Sequence, residues 1–207
     1  MIYLKKEDID GMSISELKRY KLQMSIIGLL YEHKSMMASD LSRLLNVSLP
    51  TIRSLMDFLI SKHVVLSSDP DKNKMGRKPV IYSLNGSAYF ICAVMVEHYR
   101  TKVVLYNCVN QMITSVADVE TNIDDEQFSE KLHQTYQLLL TSSNMIDNQI
   151  VAIGVGMPGL INIVDGINHT IKDEAHLDVV LRLGDRFQKD VFIENDARMQ
   201  ALGELTF

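Results

Sequence analysis

Residues 36–63 read MMASDLSRLLNVSLPTIRSLMDFLISKH, and their periodicity predicts two short helices joined by a tight polar turn. The first helix directs Leu41, Leu44 and Leu45 inward. The turn is Asn46-Val47-Ser48, with Ser48 a suitable N-cap and Pro50 tolerated in the first helical turn. In the second helix Ile52, Leu55, Met56, Leu59 and Ile60 recur at helical spacing and form one apolar stripe. Thr51, Arg53, Ser54 and Asp57 are left pointing outward near its start. A helix with a short, polar and basic N-terminal face suits a DNA major groove. The stretch alone fits equally well a helical hairpin packed inside an all-α domain.

The flanks separate these readings. Met1 to Met12 is charged and predicted to be loosely ordered. Ser13 followed by Glu16 has capping-box spacing and opens a long helix that buries Leu22, Ile26, Leu29 and Leu30. Lys18, Arg19 and Lys21 near its start suit either a phosphate backbone or an ordinary solvated face. Downstream, Val64–Leu66 and Val80–Leu84 read as two strands around a loop rich in Asp, Pro, Asn, Gly and Lys, which makes a β-hairpin. Helix, helix, turn, helix and hairpin is the order of a winged helix-turn-helix. Lys72, Lys74, Arg77 and Lys78 place four cations on the wing, where they would meet phosphates or a minor groove. Residues 1–86 are therefore expected to form a DNA-binding domain that uses Ser48, Thr51, Arg53, Ser54 and these four wing residues.

Charge partitions along the same boundary. The net charge of the 207-residue chain is -5. Residues 1–88 carry 13 Lys/Arg against 9 Asp/Glu, and the remainder carries 8 against 17. Only the first part suits a polyanion. A composition of 46% hydrophobic and 23% charged residues is that of an ordinary globular protein. No apolar run approaches the roughly 20 residues of a membrane span, and MIYLKKEDID has no secretory core, so no membrane partner and a cytoplasmic location are expected. Cys92 and Cys108 lie in apolar, strand-like contexts without metal-ligand spacing and are expected to be buried thiols.

From Tyr89 the pattern changes. Phe90–Val96, Lys102–Tyr106 and Gln111–Val119 read as three successive strands, with Asn107 and Asn110 at a turn. Asp124 to Gln127 opens a helix that buries Phe128, Leu132, Thr135 or Tyr136, and Leu139. Ile150–Val155 is a short apolar strand, Leu177–Phe187 a helix, Val191–Ile193 a strand and Ala197–Leu205 the start of another helix. This order predicts an α/β lobe with a mixed sheet.

At this point the residues resemble a known family. The Asn46-Val-Ser-Leu-Pro-Thr-Ile52 turn and Gly76-Arg-Lys-Pro-Val-Ile81 are similar to the helix-turn-helix and wing strand of ROK family regulators (repressors, open reading frames, sugar kinases). Gly154-Val-Gly-Met-Pro-Gly159 with Asp165-Gly166 resembles the family's sugar-side signature. Glu194-Asn-Asp-Ala197, followed by Ala201-Leu-Gly-Glu204, is similar to its Glu-Asn-Asp-Ala stretch. The resemblance covers residues 14–207. It implies an α+β chain of two modules, a winged helix-turn-helix followed by an incomplete actin/hexokinase-like (ribonuclease H-like) lobe over residues 87–207.

The resemblance also implies roles. Asn195 and Asp196 match the pair that hydrogen-bonds sugar hydroxyls, Asp196 being the position of the kinases' general base, and the backbone at Gly159 would lie near the same sugar. No residue between Gly166 and Leu177 matches the family pattern. The kinases' phosphate-binding Asp-x-Gly-x-Thr turn corresponds here to Met95-Val96-Glu97-His98-Tyr99. Its carboxylate, glycine and hydroxyl are all lost, and the new Glu97 charge repels phosphate. Arg198 stands where the family usually has Asn, and His98 is read as an unremarkable exposed histidine. The expectation is a non-catalytic, sugar-sensing regulator of carbohydrate metabolism, a repressor, which binds an operator in double-stranded DNA as a homodimer or higher oligomer. The alternative is an ATP-dependent sugar kinase with a DNA-binding head. The family's zinc site and second phosphate motif would lie beyond Phe207, so no metal or cofactor is expected within residues 1–207, and the chain is expected to be a fragment or to pair with a covering partner.

Overall fold

The computed structural model describes residues 9–68, 80–121, 123–124, 126–171 and 178–206. The chain divides between Ala88 and Tyr89 into two compact units.

In the first unit, helix α1 (Ile14–His33) starts on the capping box read from the sequence: Ser13 N donates to Glu16 Oε2 at 2.9 Å, and Glu16 N donates to Ser13 Oγ at 3.4 Å. The bond from the Ser13 hydroxyl, and then that from its backbone, hold the Glu16 carboxyl below its ordinary range. Ile26 and Leu30 are fully buried with Gln23, whereas Leu22 and Leu29 are only half-buried at the edge of the stripe. Lys34 then adopts φ 63°, which ends the helix and turns the chain into an extended path. Strand β1 (Ser35–Met37) follows, then α2 (Ala38–Leu45) and α3 (Leu49–Ser61). Met36 is thus a strand residue, not the first residue of a helix.

The sheet β1-β3-β2 closes the unit, with β2 (Val65–Ser68) and β3 (Ile81–Leu84) both antiparallel to their neighbours. Ser35 pairs with Ser83 and Met37 with Ile81. The expected stripe of α3 holds: Ile52, Leu55, Met56 and Leu59 are buried, each contributing about 1.5–3 kcal/mol of transfer free energy, and Ile60 is half-buried. Leu44 departs from expectation and is 54% exposed. The eight-residue α2 touches its neighbours along one row only, so Leu41 is fully buried, Leu45 half-buried, and Leu44 falls outside.

The second unit is built on a five-stranded sheet in the order β10-β7-β4-β5-β6. Its strands are β4 (Phe90–Val96), β5 (Arg100–Asn107), β6 (Ala117–Glu120), β7 (Ile150–Met157) and β10 (Asp190–Asn195). β10, β7 and β4 run parallel, whereas β5 and β6 are antiparallel additions. The third strand is much shorter than the expected Gln111–Val119. The Asn107 side chain accepts from Val109 N and Gln111 N at 3.1 and 2.9 Å, and Thr114 Oγ1 accepts from Leu105 N at 3.1 Å. Side chains therefore occupy ladder positions that a continuous strand would fill.

Helix α4 (Phe128–Ser142) begins at Phe128, without a side-chain cap, not at Asp124. Of the two inward candidates Tyr136 is the buried one, and the Thr135 hydroxyl instead donates to Lys131 O. Helix α5 (Val179–Phe187) is capped by Asp178, whose Oδ1 accepts from Leu181 N at 2.8 Å; Leu177 lies outside the described residues. Phe128, Leu132, Tyr136, Leu139, Val179, Leu183 and Phe187 from these helices pack on Cys92, Val94, Leu105, Ile153, Val155 and Ile193 of the sheet. A short hairpin of β8 (Ile161–Asn162) and β9 (Ile167–Asn168) precedes α5, and α6 (Asp196–Thr206) follows β10.

Tyr136 Oη donates to Asp147 Oδ1 at 2.6 Å, and Lys189 Nζ donates to Asp147 Oδ2 at 2.8 Å, fastening the start of β7 to the start of β10. Partial burial pushes the Asp147 carboxyl up, but the bonds from Lys189 and Tyr136 together with the Lys189 charge outweigh it, and the net direction is down. Burial alone pushes the Cys92 thiol up to about 12, while Cys108, expected to be buried, is half-exposed.

Candidate functional site

In the first unit the turn between α2 and α3 is fixed from both ends. Asn46 takes the left-handed conformation (φ 52°) at the end of α2, and Ser42 Oγ donates to Val47 O at 2.6 Å. Ser48 caps α3: its Oγ accepts from Thr51 N at 3.4 Å and lies 2.8 Å from the Thr51 hydroxyl. No acidic residue occupies the first turn of α3, so the positive end of the helix dipole is not neutralised there.

Ser48, Thr51, Arg53 and Ser54 are all exposed and together on this helix start. Burial, and next Asp57, push the Tyr82 phenol above its ordinary range, while Arg53 acts in the opposite direction. Arg53 therefore lies within electrostatic reach of Tyr82 on β3. Lys72, Lys74, Arg77 and Lys78 lie outside the described residues. Arg19, in the cation cluster of α1, rests 5.2 Å from the Phe58 ring centroid, with Lys62 at 5.7 Å from the same centroid.

In the second unit the C-terminal ends of the parallel strands open on a cleft of about 370 Å³. It is lined by Val96, Glu97 and His98 after β4, by Ile123 and Asp124, by Pro158 and Gly159 after β7, and by Asn168, Thr170 and Ile171 around β9. The ends of parallel strands are where open α/β sheets bind ligands. Gly159 has φ 124°, and a Cβ there would stand 2.5 Å from Asn168 Oδ1, so the position requires glycine. Asn168, 2% exposed, donates to Pro158 O at 3.0 Å and accepts from Thr170 N at 3.0 Å; Thr170 Oγ1 accepts from Leu160 N at 2.8 Å. These bonds hold the Gly-Met-Pro-Gly loop against β9.

Of the three residues implied for sugar contact, only Gly159 lines this cleft. Asn195 Nδ2 donates to Gly159 O at 3.0 Å and its Oδ1 accepts from Arg198 N at 3.1 Å, so this side chain ties the loop to the start of α6. Asp196 is half-buried in the first turn, its Oδ1 accepting from Ala197 N at 2.8 Å. Arg198 lies 3.6 Å from Glu194 Oε1. Sequence reasoning missed Asn168, Thr170, Ile171 and Asp124, and passed over His98 as unremarkable. Asn168 carries the one usable signal, an Asn next to a strand and followed two residues later by Thr.

The turn after β4 is a tight hairpin. Glu97 N donates to Arg100 O at 2.7 Å, and the Glu97 carboxylate pairs with Lys102 at 2.5 Å. Met95 is partnered with Gly156 across the parallel ladder, and a Cβ on Gly156 would stand 3.0 Å from Met95 Sδ and 2.9 Å from Met199 Sδ. Two thioethers thus close over Gly156 beside the turn. Among the described residues no cluster of three or more His, Cys, Asp or Glu could hold a metal ion. Nor is any described helix long and apolar enough to cross a membrane.

Comparison with known proteins matches these features. The chain is 24% identical over 188 residues to a protein named xylose repressor from Caldicellulosiruptor bescii, covering 89% of this chain and 47% of that one. It shares its fold with the crystal structure of a ROK family transcriptional regulator described as a homolog of the E. coli MLC protein, at a TM-score of 0.71 and 18% identity over 90% of this chain and 48% of the other. The chain thus spans about half the length of the relatives it matches. A model of the ROK family matches residues 100–207, just over half of the sequence. With the Gly154–Gly159 loop and the Glu194–Ala197 stretch inside that match, the chain belongs to the ROK family.

Proposed function

We propose that this chain is the DNA-reading and effector-sensing part of a transcriptional repressor of carbohydrate metabolism. The observation that carries this reading is the start of α3. Four small or basic residues, Ser48, Thr51, Arg53 and Ser54, are exposed on a helix whose opposite face is buried and whose N-terminus bears no acid. Backed by the sheet β1-β3-β2, it would be the recognition helix of a winged helix-turn-helix, with residues 1–86 as the DNA-binding domain. Lys72, Lys74, Arg77 and Lys78 would meet phosphate or a minor groove from the wing. The likeness to a xylose repressor supports the same reading.

Residues 87–207 would be the first lobe of a sugar-binding domain of actin/hexokinase-like type, with Gly159, Asn195 and Asp196 at or beside the sugar. The lobe would act without catalysis: Met95 packed on Gly156 and Glu97 paired with Lys102 replace the groups a phosphate turn needs. Effector binding would shift the balance between conformers that present the DNA-binding units differently in a cytoplasmic homo-oligomer.

Titration of operator DNA against full-length protein at several salt concentrations tests the reading. Arg53→Ala and Arg77→Ala are expected to weaken binding and flatten the salt dependence by about one ion each. Unchanged affinity and slope in both variants would remove DNA binding from these surfaces.

A further inference from the structure

The two units partner their cations differently. In the second, Arg100, Lys102, Arg186, Lys189 and Arg198 each stand beside a carboxylate. In the first, Arg43 alone among the described Lys and Arg residues has such a partner, Asp40. Arg19 of α1 and Lys62 at the end of α3 are instead both exposed and both set over the half-buried Phe58 ring, at 5.2 and 5.7 Å from its centroid. An aromatic face attracts a cation without neutralising it and takes none of the N–H donors in the guanidinium plane. The ring therefore gathers two like charges and leaves both available to an anion from solvent.

This pair lies on the flank of α3 away from Arg53. Successive residues turn about 100° around a helix, so Phe58 stands about 140° and Lys62 about 180° from Arg53. The neighbours of α3 agree with that geometry: Arg53 and Asp57 act on Tyr82 of β3, whereas Phe58 meets Arg19 from α1. Ser54 and Ser61, both exposed, lie between the two flanks. A helix with its side chains is about as wide as a DNA major groove, roughly 10–12 Å. Cations on both flanks of such a helix can meet the phosphates of both strands.

We propose that Arg19 and Lys62, gathered by Phe58, form a second phosphate-binding edge of the DNA-binding unit, across α3 from Arg53. The proposal rests on the DNA-reading assignment above and extends it from the start of α3 to its last turn and to α1. Phe58 is a positioning residue there, which holds the two cations and itself touches no phosphate.

Phosphate contacts are independent of sequence, so a fluorescein-labelled duplex of random sequence, about 30 base pairs long, serves as the probe. It is titrated with the full-length protein at several salt concentrations and read by fluorescence anisotropy. Arg19→Ala and Lys62→Ala are each expected to weaken binding and to lower the salt slope by about one ion. Arg19→Lys keeps the charge and should restore the slope, which separates a lost contact from a lost fold. Phe58→Leu should weaken binding about two- to fivefold and keep the slope, since both charges remain. Arg186→Ala, in the second unit, should change neither quantity.

Salt-steep binding that responds to Arg53→Ala but not to Arg19→Ala or Lys62→Ala would overturn the proposal and leave DNA reading by α3 intact. An equal loss of slope in Arg186→Ala would also overturn it, because the effect would then be one of net charge. A Phe58→Leu protein that binds as tightly as the unsubstituted one would overturn the role of the ring. Absence of salt-dependent binding by the unsubstituted protein would overturn both the proposal and the DNA-reading assignment.

Discussion

Helix α3 begins after a turn and α6 directly after strand β10, and at both an oxygen-bearing side chain accepts from a backbone N–H of the first turn. At α3 the Ser48 hydroxyl does this with Thr51 as its one partner among the described residues, and the residues around it are exposed. At α6 the same capping geometry belongs to Asn195, whose second end reaches 36 residues back along the chain to Gly159 O. One start is left open to whatever approaches from solvent. The other is committed to holding a loop. The same local chemistry thus serves access in one unit and rigidity in the other, and the difference lies in whether the capping side chain has a second arm.

This contrast can be tested by removing each element in turn. Gly159→Ala forces a side chain into a left-handed position and against Asn168, and is expected to cost about 2–4 kcal/mol in urea denaturation. Asn195→Ala leaves the Gly159 carbonyl without its partner and strips the cap from α6, a loss of about 1–3 kcal/mol. Ser48→Ala removes only a cap and should cost about 1 kcal/mol. A Ser48→Ala loss larger than that of Asn195→Ala would break the contrast.

The smallest effect concerns Asp147, away from both starts. Its folded carboxyl sits below the ordinary value of 3.8, so the stability it contributes is complete above that value and is lost as pH falls below it. Asp147→Asn should therefore flatten the stability profile in that acid window, read by thermal melts across pH, while Ser48→Ala and Asn195→Ala leave its shape unchanged.

Much of this architecture was legible because its signals are strong over short distances. Ser13 and Glu16 announce α1, the stripe from Ile52 to Leu59 announces α3, and the apolar runs of β4 and β7 can hardly be anything but buried strands. Ser35–Met37 was hidden because three residues offer no alternation to read, and the strand exists only through pairing with Ser83–Ile81 far downstream. The two-residue strands β8 and β9 were hidden for the same reason. Leu44 misled because periodicity gives a face and not its width. In the site, Gly159 announced itself by composition, whereas Glu97, Asp124 and Thr170 come from three separate segments that only the folded sheet brings to one cleft. Asn195 was found, but its work as a tie is visible only once its partner is known.

The pairing of Ser35 with Ser83 also bears on the order in which the first unit assembles. The two residues are 48 positions apart, so their meeting waits on closure of a long stretch of chain, while the contacts between α2 and α3 form between near neighbours. The strand after α1 is accordingly expected to close late, onto a helical pair already in place. Substitutions that break it are expected to speed unfolding more than they slow folding, read in a chevron of the two rates.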